Sequence, residues 1–163
     1  MLETINSRRS VRKWNGQPFS DSDIHDLLEA GMNAPSAVNE QAWQFVVLTG
    51  DPLVQLLRIN ANTPSSATAA IMICEDRRAE KAKGYAVQDC SAATQNILLA
   101  AHTKGLGAVW TAVFPQNIDS IRELLGLPDW VVPFALVPVG HPATTPSKPK
   151  SRFDAAKIHF NRW

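Results

Sequence analysis

Residues 85–105 read YAVQDCSAATQNILLAAHTKG and contain the longest element that the sequence predicts. Its composition predicts one helix from Tyr85 to Lys104, about 30 Å long at 1.5 Å per residue, with Gly105 as the C-terminal cap. Apolar residues point in almost every direction around this helix, which means that more than one of its faces is buried. In a chain of 163 residues, we expect a second copy of the protein to supply part of that burial.

Elements on both sides of this helix are indicated by capping residues and by short apolar runs. Ser20 and Asp23 form the pattern of a capping box and predict a helix over residues 21–32. Further helices are predicted at residues 52–60 and 118–125, a loop at residues 63–66, and strands at residues 44–49, 69–74, 108–114 and 131–139. Pro133 and Pro138 lack the N–H that a central strand donates, so we expect the last strand to lie at an edge or to carry bulges.

Residues 141–163 differ in composition from the rest of the chain. Up to Pro149 they have too little apolar surface to fold alone, so we expect them to run extended over another part of the protein. Alternating apolar residues return at residues 157–163 and predict an added strand, which we expect on a partner chain. We therefore predict one domain, residues 1–163, with an extended C-terminal tail at residues 141–163.

The charge balance argues against several classes of partner. The chain has 16 basic and 15 acidic residues, whereas a general binder of nucleic acid or of a membrane surface needs a broad basic excess. No run approaches the ~18 apolar residues of a membrane span, and the first thirty or so residues hold no signal-peptide segment, so we expect a cytoplasmic protein. Cys74 and Cys90 have neither redox nor zinc spacing and are predicted to be buried free thiols.

Common catalytic motifs are missing from the sequence. There is no GxGxxG, GxxxxGK[ST], HExxH or GxSxG, and the 4 histidines are scattered, which leaves no metal-ligand set and no nucleophile with an evident base. What remains is an enzyme whose reactive centre is supplied by a cofactor, for which the protein provides phosphate contacts, amides and dipoles.

Three polar segments have the chemistry that such a cofactor needs. They are residues 8–12 (RRSVR), residues 34–41 (APSAVNEQ) and residues 148–152 (KPKSR). Guanidinium groups beside a hydroxyl suit a phosphate dianion, because each charge-assisted hydrogen bond contributes roughly 1.5–3 kcal/mol and Arg can bind two oxygens at once. The three segments therefore predict a site for a phosphate and a flat heterocycle.

Together with the central helix, these segments resemble the FMN-dependent nitroreductase family. Residues 8–12 match its R-[RH]-S-x-[RK] stretch, and residues 35–43 match a P-S-x-x-N-x-Q-P-W-like stretch, with alanine in place of the usual second proline. Residues 89–107 match D-x-[AGS]-A-A-x-Q-N-[IL]-x-L-A-A-x-x-x-G-L-G, and residues 140–142 and 150–152 match a late Gly-aromatic-Pro region with a basic pair. The resemblance spans nearly the whole chain and agrees in order, spacing and residue type.

The resemblance implies an α+β fold of the nitroreductase type, with a largely antiparallel four-stranded sheet flanked by helices. It also implies a homodimer that exchanges C-terminal tails and holds FMN at its interface. Asp89, Gln95 and Asn96 lie on the central helix, where we expect them to bind neighbouring backbone groups rather than the cofactor.

The resemblance also assigns residues to parts of FMN. Arg8 would lie at the phosphoribityl end and Arg12 at the pyrimidine edge of the ring, where a fixed guanidinium favours the negative charge of the reduced flavin. The backbone N–H of Ala112 would face flavin N5, the atom that accepts hydride, and the segment at residues 35–41 would come from the neighbouring subunit. No catalytic side chain and no metal is implied. The full set of residues assigned to FMN is Arg8, Arg9, Ser10, Arg12, Pro35, Ser36, Asn39, Gln41, Ala112, Lys150 and Arg152.

The function implied by the resemblance is ping-pong hydride transfer. NADH or NADPH would reduce FMN and leave, after which a nitroaromatic, a quinone or another electron-poor small molecule would enter the same space and be reduced. Two specialised flavoproteins of similar fold stay open, a reductive dehalogenase and a flavin-consuming oxidase, as do an FMN-storing or FMN-sensing protein and a ligand-free dimeric scaffold. The chain is short between Asn60 and Tyr85, where longer relatives cover the substrate channel, so the resemblance implies an open flavin face and does not name the acceptor.

Overall fold

The computed structural model describes residues 2–18, 20–60, 66–147 and 149–163. Most of the loop predicted at residues 63–66 lies outside these residues. In chain order, their α-helices are α1 (Leu2–Ser7), α2 (Asp21–Met32), α3 (Gly50–Ile59), α4 (Ala86–Thr103) and α5 (Ile118–Leu125). Their strands are β1 (Trp43–Leu48), β2 (Ala69–Asp76), β3 (Gly107–Ala108), β4 (Thr111–Ala112) and β5 (Val131–Gly140).

The predicted helices form where the sequence indicates them. At the start of α2, the Asp23 N–H donates to Ser20 Oγ at 3.2 Å and the Ser20 N–H donates to the Asp23 carboxylate at 3.1 Å, which confirms the capping box. α1, a helix of 6 residues, was not predicted from the sequence. None of the helices in the described ranges combines the length and the apolar character needed to cross a bilayer.

The strands form one antiparallel sheet in the order β1, β2, β5, with β3 and β4 both paired to the outer edge of β5. β3 and β4 follow one another along the same edge of β5 and together take the place of one strand. The 5 strands therefore correspond to the predicted four-stranded sheet. α2 and α4 cover one face of the sheet, and α3 and α5 cover the other. This arrangement confirms the predicted α+β fold.

Two buried clusters hold the helices on the sheet. Alternating side chains of β2 separate the clusters, because Ile71 and Ile73 face α2 and α4 whereas Met72 faces α3 and α5. Ile97 of α4 packs in the first cluster and Leu56 of α3 in the second, and all of these side chains are buried. Burial of each one contributes roughly 1.5–3 kcal/mol, so the two clusters fix the order of the layers.

One side of α4 is buried and the opposite side is not. Cys90 and Ala93 lie on the buried side of α4, in the first cluster, whereas Gln95 and Leu99 are half-buried. The second buried side that the sequence predicts therefore has no complete cover among the described residues of a single chain.

Both cysteines are buried and free, as predicted. Burial raises the pKa of Cys74 and of Cys90 to about 12, so neither thiol is ionised at neutral pH. They serve as small apolar residues of the core.

The predicted edge position of the last strand is wrong, because β5 pairs with β2 on one side and with β3 and β4 on the other. The alternative prediction of irregular pairing is confirmed. Pro133 pairs with Cys74 where the register between β2 and β5 shifts, and Pro138 faces the break between β3 and β4. A proline is thus accommodated in a central strand where an irregularity removes the need for its N–H.

The single strand predicted at residues 108–114 is also wrong, because this part of the sheet edge is divided. β3 ends at Ala108 and β4 starts at Thr111. Between them, the Val109 N–H donates to the Pro138 carbonyl at 3.3 Å. Proline has no N–H to donate in return, which explains the interruption.

The segment after α1 runs along β3. Ser10 forms a parallel bridge with Ala108, and the Val11 N–H donates to the Ala108 carbonyl at 3.0 Å. The indole N–H of Trp14 then donates to the Gly107 carbonyl at 2.7 Å. These bonds fix the first basic segment on the edge of the sheet.

The C-terminal tail leaves β5 beside this segment and then becomes exposed. The Ala143 N–H donates to the Lys13 carbonyl at 3.0 Å, whereas residues 151–163 are exposed throughout. Residues 157–163 form no strand within the single chain, and the added strand on a partner chain stays a prediction.

Gly107 makes a close approach that provides a test of this docking. A Cβ atom at residue 107 would lie 2.6 Å from Val11 Cγ1 and 2.7 Å from Val11 Cβ. We predict that Gly107→Ala lowers the free energy of unfolding by about 1–3 kcal/mol, measured by urea unfolding. The loss should shrink in a Val11→Ala background, because the smaller side chain removes the close contact. An equal loss in both backgrounds would show that Val11 does not limit the size of residue 107.

Candidate functional site

Five of the residues assigned to the cofactor meet in one polar depression of about 210 Å³. Its lining consists of Arg8, Arg9, Ser10, Arg12 and Arg152. The first four belong to the segment docked on β3, and Arg152 arrives from the tail. The structure therefore brings two distant basic segments together, as the sequence predicts.

Arg8 is the most constrained member of this arginine depression. Its Nη1 atom is buried and has no hydrogen-bond partner among residues 2–18, 20–60, 66–147 and 149–163. Burial lowers the pKa of Arg8 below its ordinary value, and the positive charges of Arg152 and Arg9 lower it further. Like charges beside an unpaired donor are stabilised by an anion that accepts from several of them at once. The arginine depression therefore fits a phosphate group.

A larger cavity of about 760 Å³ adjoins the arginine depression and shares Arg8 and Arg152 with it. Lys150 adds a positive charge, and Gln95 of α4 adds an amide. Apolar side chains contribute much of the remaining lining, namely Leu2, Ile5, Pro149 and Phe153. This combination fits a ligand with one charged end and a longer uncharged part.

Polar residues of α4 bind backbone groups, as expected, at two positions. Both carboxylate oxygens of Asp89 accept from the Ala37 N–H, at 3.0 and 3.2 Å. The Asn96 amide donates to the Ala30 carbonyl at 3.0 Å. Gln95, between them, lines the larger cavity.

The loop at residues 35–41 has a strained backbone. Val38, Asn39 and Gln41 have φ values of 44°, 54° and 53°, in the left-handed region that residues other than glycine rarely adopt. Each such residue costs of order 1–3 kcal/mol, and it persists where the surrounding structure holds it. Val38 is exposed, so the packing of its own side chain does not account for its conformation.

Buried carboxylates hold this loop in place. Glu40 accepts from the Lys81 N–H at 2.5 Å and from the Ala82 N–H at 2.7 Å, both at Oε2, while Asp89 holds Ala37. Glu40 is 8% exposed, and its Oε1 atom has no partner among the described residues. No sequence pattern predicted the role of Glu40, because its partners lie in a separate turn.

The loop and the arginine depression are separate within the single chain. The loop meets α4 at Asp89, near the start of the helix, whereas the larger cavity meets α4 at Gln95. The predicted cofactor residues that line neither cavity are Pro35, Ser36, Asn39, Gln41 and Ala112. The structure thus divides the predicted site into two groups.

Ala112 is exposed and lies in β4, at the outer edge of the sheet. Its carbonyl accepts from the Asn60 side chain at 2.8 Å. Asn60 is fully buried, and the Asn117 side chain donates to its Oδ1 at 3.4 Å. No sequence pattern singled out either asparagine, because each reads as an ordinary polar residue at the end of a helix or turn.

Comparison with known proteins relates this geometry to a family. The Nitroreductase family model matches residues 5–70 and 55–141, which together make up more than half of the chain. The chain belongs to the nitroreductase family. The match includes the first basic segment, the loop at residues 35–41, α4 and β4, and ends at residue 141, where the tail begins.

Individual relatives agree with membership of the nitroreductase family. The chain is 41% identical over 170 residues to a Methanothermobacter thermautotrophicus protein named "Putative NADH dehydrogenase/NAD(P)H nitroreductase", across 100% of this chain and 87% of that protein. It is 32% identical to a Desulfovibrio desulfuricans structure described as a "nitroreductase in complex with fmn", with a TM-score of 0.87 over 99% of this chain and 95% of the other. It is 25% identical to an FMN-dependent nitroreductase from Clostridium difficile R20291, with a TM-score of 0.89 over 100% of both chains.

These similarities confirm two predictions at once. The TM-scores of 0.87 and 0.89 confirm the nitroreductase-like fold. As a member of the nitroreductase family, the protein is an enzyme of the oxidoreductase class.

Asp89 gives the stability of this nitroreductase-family protein a testable pH dependence. Burial raises the pKa of its carboxyl group, the Ala37 N–H opposes this shift, and the charge of Glu40 adds to it. A raised pKa in the folded state favours the protonated form. The corresponding stabilisation is complete below the ordinary carboxyl range and is lost as the pH rises through the raised value.

We predict that Asp89→Asn gains stability relative to the wild type as the pH rises from about 4 towards neutrality. The asparagine keeps an oxygen that accepts from the Ala37 N–H. It cannot ionise, so no free energy is spent on burying a charged group. Urea unfolding of both proteins at a series of pH values measures the difference in free energy. A difference that is constant, or that falls with rising pH, would contradict the raised pKa.

Proposed function

We propose that this protein is an FMN-dependent oxidoreductase that uses NADH or NADPH to reduce nitroaromatics, quinones or similar electron-poor acceptors. The observation that carries the proposal is the arginine depression, in which Arg8 Nη1 lacks a partner among the described residues. The relatives support the choice of cofactor, since one solved structure holds FMN and another is named FMN-dependent. The name of a third relative, which includes NAD(P)H nitroreductase, supports the choice of reductant.

The FMN phosphate is assigned to the arginine depression. Arg8, Arg9 and Ser10 offer guanidinium and hydroxyl donors, and Arg152 approaches from the tail. Burial and then the charges of Arg152 and Arg9 lower the pKa of Arg8; a dianion there offsets both effects, and each charge-assisted bond contributes roughly 1.5–3 kcal/mol. Lys150, in the adjoining cavity, adds a further positive charge.

Arg12 and Ala112 are assigned to the ring. FMN, when bound, supplies the hydride acceptor and donor of the reaction. The positive charge of Arg12 favours negative charge at the pyrimidine edge and so makes reduction more favourable. The Ala112 N–H, at the exposed edge of the sheet, is assigned to N5. The protein's part is to bind, orient and stabilise charge, and no side-chain acid is required.

A second copy of the chain completes the site in this proposal. Ser36, Asn39 and Gln41 lie apart from the arginine depression within one chain. Large apolar side chains of the tail are exposed, at 79% for Phe153 and 85% for Phe160, and one side of α4 is incompletely covered. Exposed apolar surface of this kind marks a protein–protein contact. A two-fold dimer would place the loop of one subunit beside the arginines of the other.

The short segment between Asn60 and Tyr85 supports the proposal that small acceptors of more than one kind reach the flavin. In residues 66–85, β2 is followed by turns without a helix, so this part of the described structure adds no helical cover. An open ring face would admit NAD(P)H and the acceptor to the same space in turn, which is the basis of the ping-pong scheme.

Turnover by the purified protein is the direct test of this function. We predict a protein that carries FMN and oxidises NADH or NADPH with a nitroaromatic or a quinone as acceptor, followed by the loss of NAD(P)H absorbance. Rapid bleaching of bound flavin by NAD(P)H separates an enzyme from a protein that stores or senses FMN. Rapid bleaching without turnover of either acceptor would instead favour a reductive dehalogenase or a flavin-consuming oxidase.

Mixed dimers test whether two subunits share one site. Arg8→Ala removes a charged donor and is predicted to weaken FMN binding roughly 10- to 150-fold. Asn39→Ala is predicted to weaken FMN binding because it removes a side-chain amide that the loop at residues 35–41 offers to FMN. In a dimer with one subunit of each kind, one site contains both substitutions and the other contains neither. Co-expression should therefore restore FMN to about a quarter of all sites, measured as flavin per subunit.

Arg58→Ala is the matched control for the arginine substitution. Arg58 lies on α3 and lines neither cavity, so its removal should leave FMN occupancy at the wild-type level. Gel filtration checks that each variant keeps its oligomeric state. If co-expression restores no FMN to an intact dimer, Arg8 and Asn39 act within the same subunit and the shared site is wrong.

A further inference from the structure

Asn60 is a buried polar residue whose side chain contacts the edge of the sheet. It is 0% exposed, and its Nδ2 atom donates to the Ala112 carbonyl at 2.8 Å. A buried amide costs free energy unless its groups are bonded, so a residue of this type at this position needs a physical reason. The bond joins the end of α3 to β4.

The direction of the Ala112 peptide groups follows from the pairing of β4 with β5. In an antiparallel pair, residues whose N–H and C=O both face the neighbouring strand alternate with residues whose N–H and C=O both face away. Val109 donates to the Pro138 carbonyl, so Thr111 also faces β5 and Ala112 faces away. The bond from Asn60 to the Ala112 carbonyl agrees with this alternation. The Ala112 N–H therefore points out from the edge of the sheet, on the same side as its carbonyl.

A second asparagine fixes the orientation of the first. Asn117 Nδ2 donates to Asn60 Oδ1 at 3.4 Å and to the Ile59 carbonyl at 2.9 Å. Because the Asn60 oxygen already accepts from Asn117, the NH₂ group of Asn60 is the part that faces β4. The two amides thus join the end of α3, the turn before α5 and β4 into one hydrogen-bonded unit.

We infer that Asn60, oriented by Asn117, is a positioning residue that holds the Ala112 N–H of β4 toward the N5 atom of bound FMN. The inference rests on the proposed function and deepens it, because it gives a role at the site to a residue that lines neither cavity. β4 has 2 residues and lies at the edge of the described sheet. The Asn60 side chain supplies the outer hydrogen bond that a neighbouring strand would otherwise supply. A donor at the reacting atom acts through its alignment, so loss of this support weakens the reaction more than it weakens binding.

Amide hydrogen exchange at single residues, measured by NMR on the full-length protein with and without FMN, tests this inference. In the wild type, FMN binding should slow exchange of the Ala112 N–H by about tenfold or more. One ordinary hydrogen bond corresponds to a factor of about ten. The Thr111 N–H faces β5 and serves as an internal reference that FMN should not change.

Asn60→Leu removes the amide at similar side-chain size. We expect this variant to bind FMN through its unchanged phosphate contacts and to lose the FMN-dependent protection of Ala112. The rate of flavin reduction by NAD(P)H should fall by about tenfold or more, with a smaller change in FMN affinity. Asn96→Leu is the matched control, because it loses a bond of the same kind, to the Ala30 carbonyl, and should leave exchange at Ala112 unchanged.

A second variant keeps the test decisive if Asn60→Leu does not fold. Asn117→Ala leaves Asn60 in place and removes its orienting partner, and it should cause the same loss of protection. If FMN does not protect Ala112 in the wild type, the inference and the assignment of Ala112 to N5 are both overturned, whereas FMN-dependent reduction of the acceptors still stands. If FMN still protects Ala112 in the folded variants, the inference alone is overturned. A wild-type protein that does not bind added FMN would overturn both.

Discussion

A missing hydrogen-bond donor in the middle of the sheet organises its outer edge. Pro138 has no N–H, and the row beside β5 is interrupted opposite it, between β3 and β4. β3 binds the backbone at Ser10 and Val11, which brings the first basic segment to the sheet. β4 is held from its other side by Asn60. One proline thereby separates β3, which carries the segment assigned to the phosphate, from β4, which is assigned to the flavin ring.

The arginine depression shows how a folded chain keeps like charges together. Burial lowers the pKa of Arg8, and repulsion from Arg152 and Arg9 lowers it further. This repulsion is opposed by backbone bonds that require no ligand, such as the bond from Val11 to Ala108. The donors are therefore already in position before an anion arrives, and less of the binding free energy is spent on ordering them. In the proposed function, the stability of the sheet thereby contributes to affinity for the FMN phosphate.

Features whose partners are close in the sequence could be predicted from it, and features whose partners are distant could not. Ser20 and Asp23 form their capping box within one helical turn, so the pattern alone was sufficient. Asn60 bonds a carbonyl 52 residues away, and Glu40 bonds amides 41 and 42 residues away. The residues that neighbour Asn60 and Glu40 in the sequence contain no pattern that identifies these distant partners. The predicted edge position of β5 was wrong for a different reason. Pro133 cannot donate a backbone hydrogen bond, but this does not require an edge strand, because a bulge also removes the need for that bond. The meeting of the basic segments was predicted from their shared phosphate-binding chemistry and was also implied by family resemblance, which carries long-range information that local patterns lack.

Glu40 couples two surface segments that the sequence separates. One oxygen of its carboxylate accepts from both Lys81 and Ala82, and the residue itself follows directly after the left-handed pair Val38 and Asn39. Two short bonds to a single buried atom restrict movement of the turn relative to the loop. A displacement of the turn after β2 therefore also displaces the strained loop, so the two surface segments move together.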